Sequence, residues 1–219
     1  MKEKLLSGLK WFYKSYIWLG VLLLAIDIIT KQLIINSGLL VGVRESHYSL
    51  LNGFVYISYV LNEGAAFGFG TGNGVANRII YLVVATLISG GLITYLIIKR
   101  KETKLFIRAA LVMVVTGAIG NMIDRVFYGP LQGQTGLFTG RVVDWIDFHW
   151  FWPYVFNIAD CCIVIAAFML IIYIIVAEVK DYREKNKNKV KPVNDGQKVL
   201  SKSEKEKLEA EKAEKEESK

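Results

Sequence analysis

The sequence predicts an all-α membrane protein: four transmembrane helices with a small extracytoplasmic β-structure. Three observations carry that prediction. Of 219 residues, 53% are hydrophobic, a share that suits a membrane protein and argues against a soluble multi-domain enzyme. The apolar residues gather in four long runs, 16–35, 79–98, 105–123 and 158–176, each near the ~20 residues that a helix needs to cross hydrocarbon. Between the runs lie two glycine-rich stretches where the helical pattern lapses.

Each element follows in order. Residues 1–14 form a basic and aromatic lead, with Lys2, Lys4, Lys10 and Lys14, suited to the membrane surface. The first run contains Asp27 and Lys31. It is too long and too polar late on for a cleaved signal peptide, and no small-residue cleavage pattern follows, so it reads as a retained anchor. In residues 37–77, LLVGVR and FVYISYVLN are rich in β-formers and glycines punctuate the region, which predicts a small β-structure resting on the bilayer. The second run has no charge. The third carries Arg108 near one end. Residues 126–156 form a second outer segment, whose end, HWFWPYVF, is aromatic as suits a chain returning to the interface. From about Lys180 the chain becomes charged. Residues 201–219 hold six Lys and seven Glu, and a capping box, Ser201…Glu204, could open a solvated helix there. With no apolar stripe to join a core, residues 179–219 are expected to be disordered or a frayed helix.

Orientation follows from Lys and Arg in the short flanks. The lead, the turn with Lys99, Arg100, Lys101 and Lys104, and the segment after the fourth run with Lys180 and Arg183 are basic. The two longer connections are poor in such residues. Both termini are therefore expected in the cytoplasm and both long connections outside. The net charge of +7 requires no nucleic acid, because basic flanks on an anionic leaflet account for it. The two cysteines, Cys161 and Cys162, are neighbours within the fourth run and form no disulfide framework; they read as small apolar fillers. His47 and His149 lack ligand spacing, so no metal is expected, and each reads as an interfacial residue. GFGTGNG matches no dinucleotide fingerprint and reads as a lid or turn.

The polar residues within the runs meet at one depth. At 1.5 Å rise per residue, Asp27 lies roughly 20 Å from the inner face, and Asn121, Asp124 and Arg125 roughly 20–25 Å from it. Asn157 and Asp160 lie roughly 27–35 Å above the inner end of the fourth run. Asp27 and Lys31 are a turn apart and explain one another as an ion pair. Asn121 and Arg125, and Asn157 and Asp160, likewise share faces. Gly117 and Gly120 would admit a close neighbouring backbone. Asp160 has no cation among its helical neighbours, and Asp144 and Asp147 lie among apolar residues with only Arg141 nearby. A buried carboxylate held near another shares a proton with it. Such a pair can activate water with one member and protonate a carbonyl or leaving amine with the other, the chemistry of aspartic proteases. The rivals are a small proton-coupled transporter using the same acids as a relay, and a non-catalytic scaffold. A transporter would favour a polar track to the cytoplasmic side, whereas the inner halves of the runs are apolar apart from Arg108.

DIITK (27–31), NEGAAFG (62–68), GAIGNMIDR (117–125), VVDWIDF (142–148) and FNIAD (156–160), in that order, resemble the lipoprotein signal peptidase family, also called signal peptidase II. The resemblance covers about residues 15–178 and departs from the family's VVDF only in having Trp145. It implies an outward-facing catalytic dyad of Asp144 and Asp160, with Asn62, Asn121, Arg125 and Asn157 lining the site and orienting substrate or dyad. Asp27, Lys31 and Asp124 match supporting positions, together with Gly117 and Gly120. Region 37–77 matches the family's small β-cradle, and Gly64 through Phe67 to Gly70 match its loop beside the site. The implied activity is cleavage of lipidated prolipoproteins just before the diacylglyceryl-modified cysteine, in the bacterial cell membrane. No cofactor is expected, and the partners expected are membrane lipids and the prolipoprotein, with the chain a monomer. The tail after Lys180 lies outside the resemblance.

Overall fold

The computed structural model describes residues 2–43, 46–64, 74–148 and 150–189. Phe67, GFGTGNG up to Gly74, His149 and the Ser201…Glu204 box therefore lie outside the described residues. The helices are α1 (Lys2–Ser15), α2 (Ile17–Ile35), α3 (Gly74–Ile98), α4 (Leu105–Phe127) and α5 (Ile158–Lys189). Four strands, β1 (Tyr48–Leu50), β2 (Val55–Asn62), β3 (Val142–Asp147) and β4 (Val155–Phe156), form one antiparallel sheet in that order. The fold is mostly helical, with four helices long and apolar enough to cross a membrane: Ile17–Ile35, Ala76–Ile98, Leu105–Phe127 and Ile158–Asn186. Their outer faces expose large apolar side chains such as Leu33, Ile80, Leu87 and Phe168. Water tolerates so much contiguous apolar surface poorly and hydrocarbon tolerates it well.

The chain forms two compact units, dividing at Ile175. The second, in its described part, is the charged end of α5. There Lys185 pairs with Asp181 at 2.6 Å and Lys180 with Glu184 at 3.9 Å, both one turn apart. Such pairs support a solvated helix without a core.

Within the first unit the sheet draws on both long connections, not on 37–77 alone. LLVGVR, expected to favour β-structure, is not a strand over its described residues. Gly42 has φ +71°, which turns the chain, and its N–H reaches Tyr59 O at 2.8 Å. VVDWID, by contrast, becomes the central strand β3. It pairs with β2 so that Val60 faces Asp144 and Asn62 faces Val142. The register slips between Ile57 and Val60, the mark of a bulge that bends β2 and re-aims its side chains. Ile34, Tyr59, Tyr128 and Val143 form the buried core, seating the sheet on the ends of α2 and α4. Gln132 fastens the entry to β3 by donating to Arg141 O at 2.6 Å while its own oxygen accepts Arg141 N–H at 2.8 Å.

Helix α5 crosses α4 at Gly117 and Gly120. A Cβ on Gly117 would lie 2.4 Å from Ala159 O and 2.6 Å from Ile163 Cγ1, and one on Gly120 2.7 Å from an Asp27 oxygen. Gly90, in α3, has nothing within 4 Å of its would-be Cβ. Gly117→Ala should therefore destabilise the protein by about 1–3 kcal/mol through overpacking. Gly90→Ala should leave the protein as stable or more so, because alanine favours helix. Thermal unfolding of the two variants in detergent checks this pair of opposite outcomes.

Candidate active site

The site is built on a lysine. Lys31, on α2, has no solvent exposure, and its ammonium has three N–H donors. Three acceptors surround it: Asp27 at 2.8 Å, Asp124 at 2.9 Å and Asn121 Oδ1 at 3.3 Å. Both carboxylates have further duties. Asp27 accepts the backbone N–H of Ala159 at 2.9 Å, in the first turn of α5. There the unpaired N–H groups and the positive end of the helix dipole favour an anion. Asp124 accepts Val143 N–H at 3.0 Å and so ties α4 to β3. The expected Asp27–Lys31 pair is thus part of a three-residue cluster that joins α2, α4, α5 and the sheet.

Three asparagine amides form the next layer. In each, a donor holds the carbonyl oxygen, which leaves the NH2 aimed at a carboxylate. Asn62 Oδ1 accepts Gly64 N–H at 2.8 Å, and its Nδ2 donates to Asp144 at 2.9 Å. Gly64 adopts φ +110° and lies so close to Tyr81 that a Cβ would fall 2.4 Å from the ring, so glycine is required for this turn. Asn121 Oδ1 faces Lys31, and its Nδ2 donates to Asp160 at 2.8 Å. Asn157 Oδ1 accepts Asp160 N–H at 2.9 Å, and its Nδ2 donates to Asp144 at 2.7 Å and Asn121 Oδ1 at 3.1 Å.

Asp160 also accepts Asn157 N–H at 3.2 Å. Asn157 and Asp160 therefore form a reciprocal capping box, with the cap residue and the third helical residue bonding each other's backbone. Asp160, which has no cation among its helical neighbours, thus has a local partner of another kind. Its signal in the sequence is N-x-x-D just before an apolar helix, which a search for opposite charges misses. Asn157 consequently touches both acids, by its amide and by its backbone.

Asp144 lies on β3, outside the spans, with 1% exposure. Its carboxyl is pushed up to about 8, first by burial and then by the charge of Asp160, against the pull of the hydrogen bonds from Asn62 and Asn157. Arg125 stands one layer out. Its guanidinium donates to Asn121 O at 2.9 Å and lies over the Tyr81 ring at 5.3 Å. Asp147, also buried, accepts the Ser58 hydroxyl at 3.0 Å and borders the same groove as Asp144 and Asp160. His47 packs edge-on against Tyr56, at 4.6 Å between rings.

Asp144 and Asp160 both border a groove of about 1090 Å³. Its walls are otherwise largely apolar, including Trp152, Tyr154, Phe156, Ile163, Val164 and Phe168, with Cys161 beside Asp160. Both cysteines are free thiols. Among the described residues no group of His, Cys, Asp and Glu is arranged to hold a metal ion.

Removing the ammonium would leave two buried carboxylates facing each other and free Asn121 to turn. Lys31→Met should lower stability by about 3–5 kcal/mol, the usual consequence of orphaning a buried charge. Unfolding in detergent measures it, and a loss below 1 kcal/mol, on the order of a surface pair, would contradict this account.

Comparison with known proteins places this geometry. The family model for signal peptidase (SPase) II matches residues 19–176. The lipoprotein signal peptidase of Clostridioides difficile (strain 630) is 34% identical over 165 residues, covering 75% of this chain and 97% of that protein. The lipoprotein signal peptidase of Syntrophus aciditrophicus (strain SB) is 37% identical over 128 residues, covering 58% of this chain and 74% of the relative. A solved bacterial membrane enzyme superposes with a TM-score of 0.57 at 26% identity, covering 84% of this chain and 93% of that one. A match that runs through four membrane-length helices and every polar layer just described shows that the chain belongs to the signal peptidase II family.

Proposed function

We propose that this chain is a membrane aspartic endopeptidase that removes signal peptides from lipidated prolipoproteins, cutting just before the lipid-modified cysteine, with Asp144 and Asp160 as its catalytic pair. The observation that carries the reading is the bridge through Asn157. One residue bonds two carboxylates from different elements at the edge of an apolar groove. A lipidated, apolar segment suits such walls, and its extended backbone presents the scissile amide to the acids.

In the resting pair one proton is shared. The ionised member draws a proton from water as the water attacks the scissile carbonyl. The protonated member donates to the carbonyl oxygen, which stabilises the developing charge, and a proton then passes to the leaving amine. Asn62, Asn121 and Asn157 hold both carboxyl groups against rotation, and Arg125 steadies Asn121. The Lys31 cluster supports them from behind, and Gly117 and Gly120 admit the backbone that carries Asp160. The basic flanks support a topology with both termini in the cytoplasm, and with the sheet and the acids near the outer face of the bacterial cell membrane.

Cleavage of a lipidated prolipoprotein, read on a gel, tests the pair. Asp144→Asn and Asp160→Asn should each lose at least about a hundredfold in rate, the scale of acid–base catalysis. Asp147→Asn should keep most of its activity. Full activity in either of the first two variants would remove the assignment.

The pH profile gives a second test. The working pair needs one proton, and Asp144 gives up its proton near pH 8. Raising the pH through that value empties the pair, so kcat/KM should be high below it and fall about tenfold per unit well above it. A rate flat to pH 10 would contradict the shared proton.

A further inference from the structure

Helix α1 is too short and too charged to cross a membrane: 14 residues, or about 21 Å, with four lysines and Glu3. Its sequence is nevertheless amphipathic. At about 100° per residue, Leu5, Leu6, Leu9, Phe12 and Tyr13 fall within an arc of about 120°, and Glu3, Lys4, Ser7, Lys10 and Lys14 fall on the opposite side. Lys2, at the helix start, is the one charged residue whose position falls inside the apolar arc. Leu6, Phe12 and Tyr13 are exposed in the described structure.

The junction to α2 shows where this helix stands. Tyr16 takes a left-handed conformation, φ 59°, so α1 and α2 are two helices meeting at a corner and not one rod. The corner is held by Ser15, whose hydroxyl donates to Phe12 O at 2.7 Å, and by Trp18, whose indole N–H donates to Tyr13 O at 3.0 Å. Tyr13 and Tyr16 stack on Trp18, with ring centroids 5.9 and 6.4 Å away. Clustered Trp and Tyr at the end of a span mark the membrane–water boundary. Arg108 then latches α1 to the turn between α3 and α4. It donates to Lys14 O at 2.8 Å, to Thr103 O at 3.1 Å and to Arg100 O. Two basic segments thereby join: Lys2, Lys4, Lys10, Lys14, Lys99, Arg100, Lys101 and Lys104, eight cations against Glu3 and Glu102.

We propose that α1 lies in the plane of the membrane interface, with its apolar arc in the acyl boundary, and that it and the turn at 99–104 form one cationic ledge binding anionic phospholipid headgroups. Charge complementarity selects that occupant. The chain's own residues 201–219, with six Lys and seven Glu, are too nearly neutral to complement the ledge, and a second copy would bring the same positive charge to it. A helix with an apolar side and an opposite side that carries lysines, with Trp11 exposed among them, suits the interface plane and not a span.

The test uses the full chain with Cys161 and Cys162 changed to Ala, reconstituted in nanodiscs of phosphatidylcholine with or without phosphatidylglycerol. A fluorophore is attached at Leu9→Cys or at Ser7→Cys. Nitroxide on the lipid acyl chains should quench the label at 9, and aqueous iodide the label at 7. Equal iodide quenching at both positions overturns the proposal, as does shielding at 7 that grows with protein concentration, which would mean a second copy. Native mass spectrometry supplies the other arm. Wild type should retain phosphatidylglycerol over phosphatidylcholine by about tenfold or more, since each basic residue near the surface adds attraction. The combined Lys4→Gln, Lys10→Gln, Lys14→Gln and Lys101→Gln variant should lose that preference. No preference in wild type, or the same preference in the variant, contradicts the ledge.

Discussion

A lysine sealed from water is the constraint on which the rest of this structure depends. The three N–H bonds of Lys31 meet three acceptors, and each acceptor belongs to a different task. Through Asp27 the lysine reaches the first turn of α5, and through Asp124 it reaches the backbone of β3. Through Asn121 it sets which end of an amide faces Asp160. An unpaired charge in such a place would cost several kcal/mol, so the arrangement has little freedom to relax. One buried cation thus aligns the three segments that carry the candidate chemistry.

The asparagines turn that alignment into directed donors. An amide can flip, and its two ends differ only in donor against acceptor. Here Gly64, Lys31 and Asp160 each supply a donor to one carbonyl, and the remaining NH2 groups have a single sensible target. Burial and the charge of Asp160 disfavour charge on Asp144, while the amide donors favour it. A balance of that kind suits the single shared proton that the proposed hydrolysis requires. The capping role of Asp160 belongs to the same balance, because the start of α5 is stabilised by the side chain that the proposed chemistry uses.

The membrane-length runs are legible in the sequence because hydrocarbon demands about twenty apolar residues and little else satisfies that length. The polar layer is legible too, since charged residues in such runs are too costly to be incidental. Strand β3 is harder to read. VVDWID shows acids at both 144 and 147 with no clean alternation, and its pairing depends on β2 across a bulge that no local pattern announces. The convergence of Asp144 on Asp160 has the same obscurity. Spacing places each acid at the outer end of its own segment, and only the family resemblance names the two together. The Asn157–Asp160 cap is written in the sequence as N-x-x-D, but opposite charge is the wrong thing to look for there. Arg108 reads as an isolated charge in the third run, whereas its partners are backbone carbonyls that composition does not reveal.

The most direct measurement is the infrared spectrum of the protein with isotope-labelled aspartate, followed from acid to alkaline pH. One protonated carboxyl band belonging to the pair should be present near neutrality, vanish through about pH 8, and be altered by either Asp144→Asn or Asp160→Asn. A spectrum near neutrality with both carboxyl groups fully ionised, or a band indifferent to one of those substitutions, would show that the two acids do not hold a proton in common.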